Sequence, residues 1–324
     1  MSEPTLSLTF SDIYAEVGEF MGYGRAATGK TAEVKRHGNA GYRRFLAGMD
    51  PRMNSAYDWS FLSPHDTIEL WGDTTGDTPA GLTGTTDGAG NSATTVGMSA
   101  ATFFDSMVGH RLAFAGGSYE IISYASGKTV TVLGDATTVG SSSGCSVTAN
   151  GVYGLPDDFA YMVDDPAYET DETPGTLANR SVSWIRHQRS GEGTVTGPPN
   201  AYAVAPRAFT TRTGQRHDLL VWPVPASNRT MRYRYRVNPD ALSGDDDYPY
   251  GGAMHADTIF KCAKAAAEEH MEDKRPFWQD KAKEAMAASI DMDARNKPSN
   301  LGAMTDNSDD LSPMYDRRGD VSYD

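Results

Sequence analysis

Between Asp218 and Glu269 one unbroken stretch reads as a strand, a longer alternating strand, a Pro/Asp turn and an alanine-rich helix. It runs from Asp218-Leu219-Leu220-Val221-Trp222-Pro223-Val224-Pro225 through Thr230 to Pro239, then an acidic loop to Tyr248-Pro249, and closes with His255 to Glu269. Any fold of this chain must therefore hand a β region directly to a helical one. In the second strand Arg232, Arg234 and Arg236 share one parity and Tyr233, Tyr235 and Val237 the other, so one face is cationic and the opposite face aromatic or aliphatic. Such alternation is the usual mark of a half-buried antiparallel sheet whose arginines pair with local acids. The sharper alternative is an arginine ladder that meets a partner subunit or nucleic acid.

Both ends of the chain carry helical periodicity. From Leu8 to Gly22, Ile13, Val17, Phe20 and Met21 recur at helical spacing, with Thr9 and Asp12 placed as a capping pair. A glycine-rich connector, Gly22 to Gly29, leads to Thr31, after which Val34, Gly38, Gly41, Tyr42, Phe45 and Leu46 form a second stripe with Gly48 as its C-cap. Near the other end Ala256, Phe260, Ala263, Ala267 and Met271 line one face. Pro276 then suits the first turn of a further helix faced by Trp278, Ala282, Ala285, Met286 and Ser289. The simplest burial of four such stripes is a single bundle. The expected fold class is α+β: a helical bundle from the N- and C-terminal helices with an inserted antiparallel β region and a small β sub-domain. Its expected parts are a helical hairpin over 1–55, the β region over 56–250, closing helices over 251–297 and a flexible tail over 298–324.

Within the β region the pattern predicts strands at Tyr57 to Leu62, Thr67 to Trp71, Val182 to His187, Ala201 to Val204, Leu219 to Val224 and Met231 to Val237. Residues 73–102, dominated by Thr, Gly, Ala and Ser, have too little apolar content for a core and are expected as a long loop or floppy hairpin. Residues 103–150 read as the small β sub-domain, with strands at Arg111 to Phe114, Tyr119 to Ser123 and Thr129 to Leu133. Ala167 to Arg180 reads as an exposed polar linker. Pro298 to Asp324 lacks periodicity and is expected to be disordered in isolation.

Charge and cysteine usage exclude several classes. The 324 residues carry 29 basic and 43 acidic side chains, a net charge of −14, which argues against general nucleic-acid binding. Two cysteines, Cys145 and Cys262, make a disulfide framework improbable and suit a reducing site of synthesis. Met1-Ser2-Glu3-Pro4 lacks a cationic start followed by an apolar run, and no window approaches the ~18 apolar residues of a membrane helix. A soluble protein without a signal peptide is expected.

Motifs for chemistry are weak. Gly24-Arg25-Ala26-Ala27-Thr28-Gly29-Lys30-Thr31 matches the phosphate-cradling loop pattern. That chemistry needs a hydrophobic strand just before the loop, and Glu16 to Met21 has helical periodicity instead. A loop joining two helices, with Arg25 and Lys30 free to contact a neighbouring subunit, is the better reading. The seven histidines show no metal-ligand spacing, and Asp245-Asp246-Asp247 lacks the alternating acids, glycine and distant Glu of a calcium loop. No Gly-x-Ser-x-Gly elbow or cysteine dyad occurs. The expectation is a non-enzymatic protein with no catalytic residue, cofactor or metal.

Gly41-Tyr42-Arg43-Arg44-Phe45-Leu46, Tyr57-Asp58-Trp59-Ser60-Phe61-Leu62 with Pro64, Tyr153-Gly154-Leu155-Pro156-Asp157-Asp158-Phe159, the strands from Trp222-Pro223 to Pro239 and the Ala-rich helix follow one another in a characteristic order. In that order the chain resembles the head-tail connector proteins of tailed bacteriophages, the portal adaptors or tail tubular proteins. The resemblance implies a ring, typically dodecameric, that docks to the portal protein and meets the tail tube or nozzle protein. Genomic DNA would pass through the centre, in the neck of a virion assembled in the host cytoplasm. A negative total charge suits such a conduit, because cationic walls would hold phosphates. The candidate protein-interface residues are Arg25, Lys30, Arg232, Arg234, Arg236 and Tyr248, with Pro298, Leu301, Met304, Leu311, Met314 and Tyr315 in the tail expected to dock on the portal. Alternatives are a tail-completion protein contacting the nozzle, a P-loop nucleotide enzyme and a β-rich carbohydrate-binding module.

Overall fold

The computed structural model describes residues 4, 6–76, 79–86, 90–114, 117–137, 144–169, 175–191, 195–207, 215–271 and 277–296. In chain order its elements are α1 (Phe10–Phe20), α2 (Thr31–Ala47), β1 (Met49–Asp50), β2 (Ser55–Ala56), β3 (His65–Leu70), β4 (Thr74–Gly76), β5 (Gly81–Thr86), β6 (Ser92–Gly97), β7 (Arg111–Phe114) and β8 (Gly117–Ser126). There follow β9 (Thr129–Leu133), β10 (Cys145–Val147), β11 (Val152–Gly154), β12 (Phe159–Tyr168), β13 (Ala178–Asn179), α3 (Val182–Gly191), β14 (Ala201–Pro206), β15 (His217–Trp222), β16 (Arg229–Val237), α4 (Gly252–Glu268) and α5 (Phe277–Asn296). They fall into two compact units, one comprising the chain up to Ser60 and from Leu242 onward, the other running from Phe61 to Ala241.

In the first unit α1 begins at a reciprocal cap. The Asp12 amide donates to the Thr9 hydroxyl, and the Thr9 amide donates to the Asp12 carboxylate at 3.0 Å. Gly48 ends α2 in the left-handed region at φ 59°, where glycine has no Cβ to clash. Gly41 lets α2 lie directly on α4, since a Cβ there would sit 2.3 Å from the Cα of Ala263. Below this crossing the Trp59 indole donates to the Phe45 carbonyl at 3.1 Å, and His255 of α4 completes an aromatic cluster with both rings. Helix α5 is tied on by Ser289, whose hydroxyl is 2.6 Å from that of Thr258, and by buried Asp293, which accepts from the Tyr57 hydroxyl and from the Ser60 amide and hydroxyl. These bonds explain why the expected strand at Tyr57 to Leu62 does not form: β2 ends at Ala56, and beyond it buried Trp59 and the Asp293 carboxylate hold the backbone in an irregular stretch that closes in a short 3₁₀ turn at Ser60–Leu62.

Among the described residues the second unit contains three sheets. Their strand orders are β4-β10-β7-β8-β9-β6-β5, β11-β15-β14-β13 and β12-β16-β3. Pairing is antiparallel except between β13 and β14. One continuous apolar cluster, from Ile68 and Trp71 through Leu112, Ile121, Val132 and Tyr153 to Met231 and Val237, draws on all three. This corrects the expected fold class. The α+β mixture holds, yet the chain is β-rich with the large core in the sheets, and a helical bundle is not its frame.

The segment 73–102, expected as a long loop or floppy hairpin, contains the β5–β6 hairpin and supplies β4, β5 and β6 to the seven-stranded sheet. Its hairpin lacks apolar content of its own and takes its core from neighbours. Val96 is fully buried opposite Val130 of β9, and the Thr94 hydroxyl donates to the Gly134 carbonyl while accepting from the Ala136 amide. Val182 to His187, expected as a strand, is the start of α3. The Ser181 hydroxyl accepts from the Trp184 amide, as a helix-initiating cap does, and Ile185 packs on Ala203, Leu220 and Trp222. Among the described residues no helix is long and apolar enough to cross a membrane. Both cysteines are free and buried.

Candidate protein interface

The three-stranded sheet fulfils the two-faced pattern of β16. Met231, Tyr233, Tyr235 and Val237 are buried, Arg232 is exposed, and Arg234 and Arg236 are half-buried. On the buried side Tyr235 stacks between Tyr233 and Phe159 at 5.5 and 5.6 Å between ring centres. The Tyr233 hydroxyl donates to Asp66 at 3.2 Å and that of Tyr235 to Asp158 at 3.1 Å. Burial, with the Asp66 and Tyr235 charges behind it, pushes the Tyr233 hydroxyl far above the usual phenol range, so it remains a donor.

On the outer side the arginines meet acids of the neighbouring strand and its end. Arg232 pairs with Glu169, and Arg234 lies 3.6 Å from Asp164 while donating to the Ser63 carbonyl at 3.1 Å. Local acids therefore engage this ladder, as the plainer reading of the alternation anticipates. Opposite Arg236 in register stands Tyr161, half of whose surface is exposed, and near it Val163 is also exposed. Apolar and guanidinium groups thus share one outer sheet face. That composition suits protein contact, because aromatic and arginine side chains concentrate at interfaces.

The other candidate residues lie in the first unit or beyond the described residues. Residues 24–30 join α1 to α2, with a helix leading into the loop where a phosphate cradle requires a strand. Arg25 pairs with Glu16 at 2.8 Å and Glu19 at 3.4 Å, and Lys30 pairs with Glu33 at 3.3 Å while lying 5.6 Å over the Tyr23 ring. Tyr248 is half exposed, and Tyr250 and Met254 close to it in sequence are exposed too. The acidic turn before it caps itself: the Asp247 carboxylate accepts from the Ser243 and Gly244 amides, which hold it below the usual carboxylate range. Pro298, Leu301, Met304, Leu311, Met314 and Tyr315 lie outside the described residues, as does Pro276.

Two further groupings are completed only by the fold. His110, Arg207 and Asp218 line a cleft in the second unit, with Arg207 bonded to Asp218 at 2.5 Å. In the first unit Glu33, His37 and His270 form the one trio among the described residues able to hold a metal ion. Glu33 and His37 stand four positions apart on α2, a spacing legible in sequence, but only the fold adds His270.

With this geometry in place, the comparisons narrow the reading. A family model described as SU10 adaptor protein matches residues 136–304, just over half the chain, from the segment after β9 to beyond the end of α5. No curated protein matches the chain.

Proposed function

The chain belongs to the SU10 adaptor protein family, a family of phage structural adaptors, and from that premise we propose that it is a head-to-tail adaptor. In this reading copies of the chain form a closed ring that docks on the portal protein, meets the tail tube or nozzle protein and encloses a channel for genomic DNA. It works without catalysis or cofactor, by presenting docking surfaces. The observation that carries the reading is the family match across the C-terminal half of the β unit and both closing helices. The finer kinship to tail tubular proteins rests on the residue pattern from Gly41 to the Ala-rich helix.

The physical side agrees with it. A head-to-tail interface generates a ring when its rotation closes. The outer face of β12-β16-β3, with Tyr161 beside Arg236, offers a surface of the right composition for such contact. The acidic balance of −14 suits a conduit that DNA crosses without adhering. The segment after Lys297 is proposed to lie along the portal, as an extended polar segment can when a partner supplies the surface.

Electron microscopy of the purified protein with and without portal tests the reading. Rings seated on portal are expected, and a monomer in both conditions would discard it. A truncation ending at Lys297 should fold yet fail to pull down portal, and undiminished pull-down would remove the tail from the docking surface.

A further inference from the structure

One trio in the first unit is unexplained by an adaptor's architecture. Glu33 and His37 are one helical turn apart on α2 and so share a face. His270 follows α4 in a turn held by its amide's bond to the Ala267 carbonyl at 3.1 Å. The ligand-capable atoms of all three lie within 4.8 Å of one another. Glu33 Oε1 is 3.9 Å from His270 Nε2 and accepts from the Tyr23 hydroxyl at 3.4 Å, while Oε2 is turned to Lys30. The His37 and His270 rings are 5.1 Å apart.

The second observation concerns His37 alone. It is only 7% exposed, and its Nε2 is buried without a hydrogen-bond partner. Such an atom is expensive to leave unsatisfied.

We propose that Glu33, His37 and His270 form a site for a divalent transition metal of the zinc type, clasping α2 to the end of α4. Two imidazole nitrogens and one carboxylate oxygen are a donor set that zinc accepts, with a fourth position for water. Donors about 2.1 Å from zinc lie about 3.4 Å apart in a tetrahedron. The trio must contract by roughly 1 Å, and exposed His270 is the member able to move. Lys30, which is also exposed, must swing aside from Glu33.

The test uses the full chain, stripped with a chelator and titrated with zinc chloride by calorimetry, with thermal unfolding followed in parallel. One zinc per chain and a raised Tm are expected. His270→Gln, at an exposed position, should keep the metal-free Tm but weaken zinc binding by at least about tenfold and abolish the Tm gain. Glu33→Gln should weaken binding similarly, and His187→Gln, at an exposed position on α3, should leave it unchanged. Absence of saturable uptake, or equal uptake by His270→Gln, overturns the site.

Discussion

Gly41 of α2 and Ala263 of α4 meet without room for a methyl group between them, a Cβ on Gly41 falling 2.3 Å from the Ala263 Cα and 2.4 Å from its amide nitrogen. The opposing atoms are helix backbone, which cannot rotate away as a side-chain tip would. Gly41→Ala therefore gains helix propensity but must push α2 off α4. Overpacking of this kind costs about 1–3 kcal/mol, more than the ~1 kcal/mol of propensity returns at most sites. Urea unfolding monitored by circular dichroism should show a lower midpoint, and a midpoint equal to wild type would mean that the helices separate freely.

Glu268 is the second point at which one side chain governs the helical unit. Only 4% exposed, its carboxylate accepts from the amides of Phe277, Trp278 and Gln279 at 3.1, 2.9 and 3.1 Å, so it caps the first turn of α5 from the end of α4. Glu268→Gln keeps one acceptor but removes the charge, with an expected loss of about 1–3 kcal/mol. Glu268→Ala should lose more, because the amides are left without an acceptor. Equilibrium unfolding of both variants checks the order, and a Glu268→Gln variant as stable as wild type would show that charge is irrelevant there.

These residues illustrate what could be read from the chain and what could not. Local chemistry was legible. The Thr9/Asp12 cap, the left-handed Gly48 at the end of α2 and the division of β16 into a buried Tyr/Val side and an outer arginine side follow from short-range pattern. Features decided at long range were not. Strands β5 and β6 are Thr- and Gly-rich and acquire a core only through β9, whereas α3 has strand-like residues turned helical by the Ser181 cap and the packing of Ile185. His270 reaches Glu33 and His37 from the far end of the chain, and no spacing rule spans that distance. The error in fold class has the same origin, since strand segments too polar to count as core still join a sheet that buries one.

Stability of the β unit should decline toward acid pH through His110. This ring is 8% exposed, packs edge-on against Trp71 at 4.8 Å, and faces Arg207 and Asp218. Burial first, and the Arg207 charge after it, depress its pKa below the unfolded value near 6.5. The unfolded chain then binds more protons, so the His110 contribution is whole above about pH 6.5 and is lost as pH falls through the folded value. His110→Gln, which does not titrate, should flatten the fall in Tm between pH 7.5 and 5.5. An unchanged pH slope would assign that fall to other groups.

The outer face of β12-β16-β3 separates folding from association. Arg232 is well exposed and paired with Glu169, an arrangement that contributes at most about 1 kcal/mol to stability because water screens it. Tyr161 is half exposed opposite Arg236 and makes no contribution to the buried cluster. Arg232→Ala and Tyr161→Ala should therefore leave Tm within about 2–4 °C of wild type. If this face joins neighbouring chains or a virion partner, the same substitutions should weaken assembly, Tyr161→Ala more strongly, since an aromatic anchor at an interface is worth about 2 kcal/mol or more against far less for a rim charge. Sedimentation velocity of each variant alone and with portal distinguishes the cases. Wild-type assembly by both variants would move the docking surface elsewhere, to the exposed stretch at Tyr248, Tyr250 and Met254.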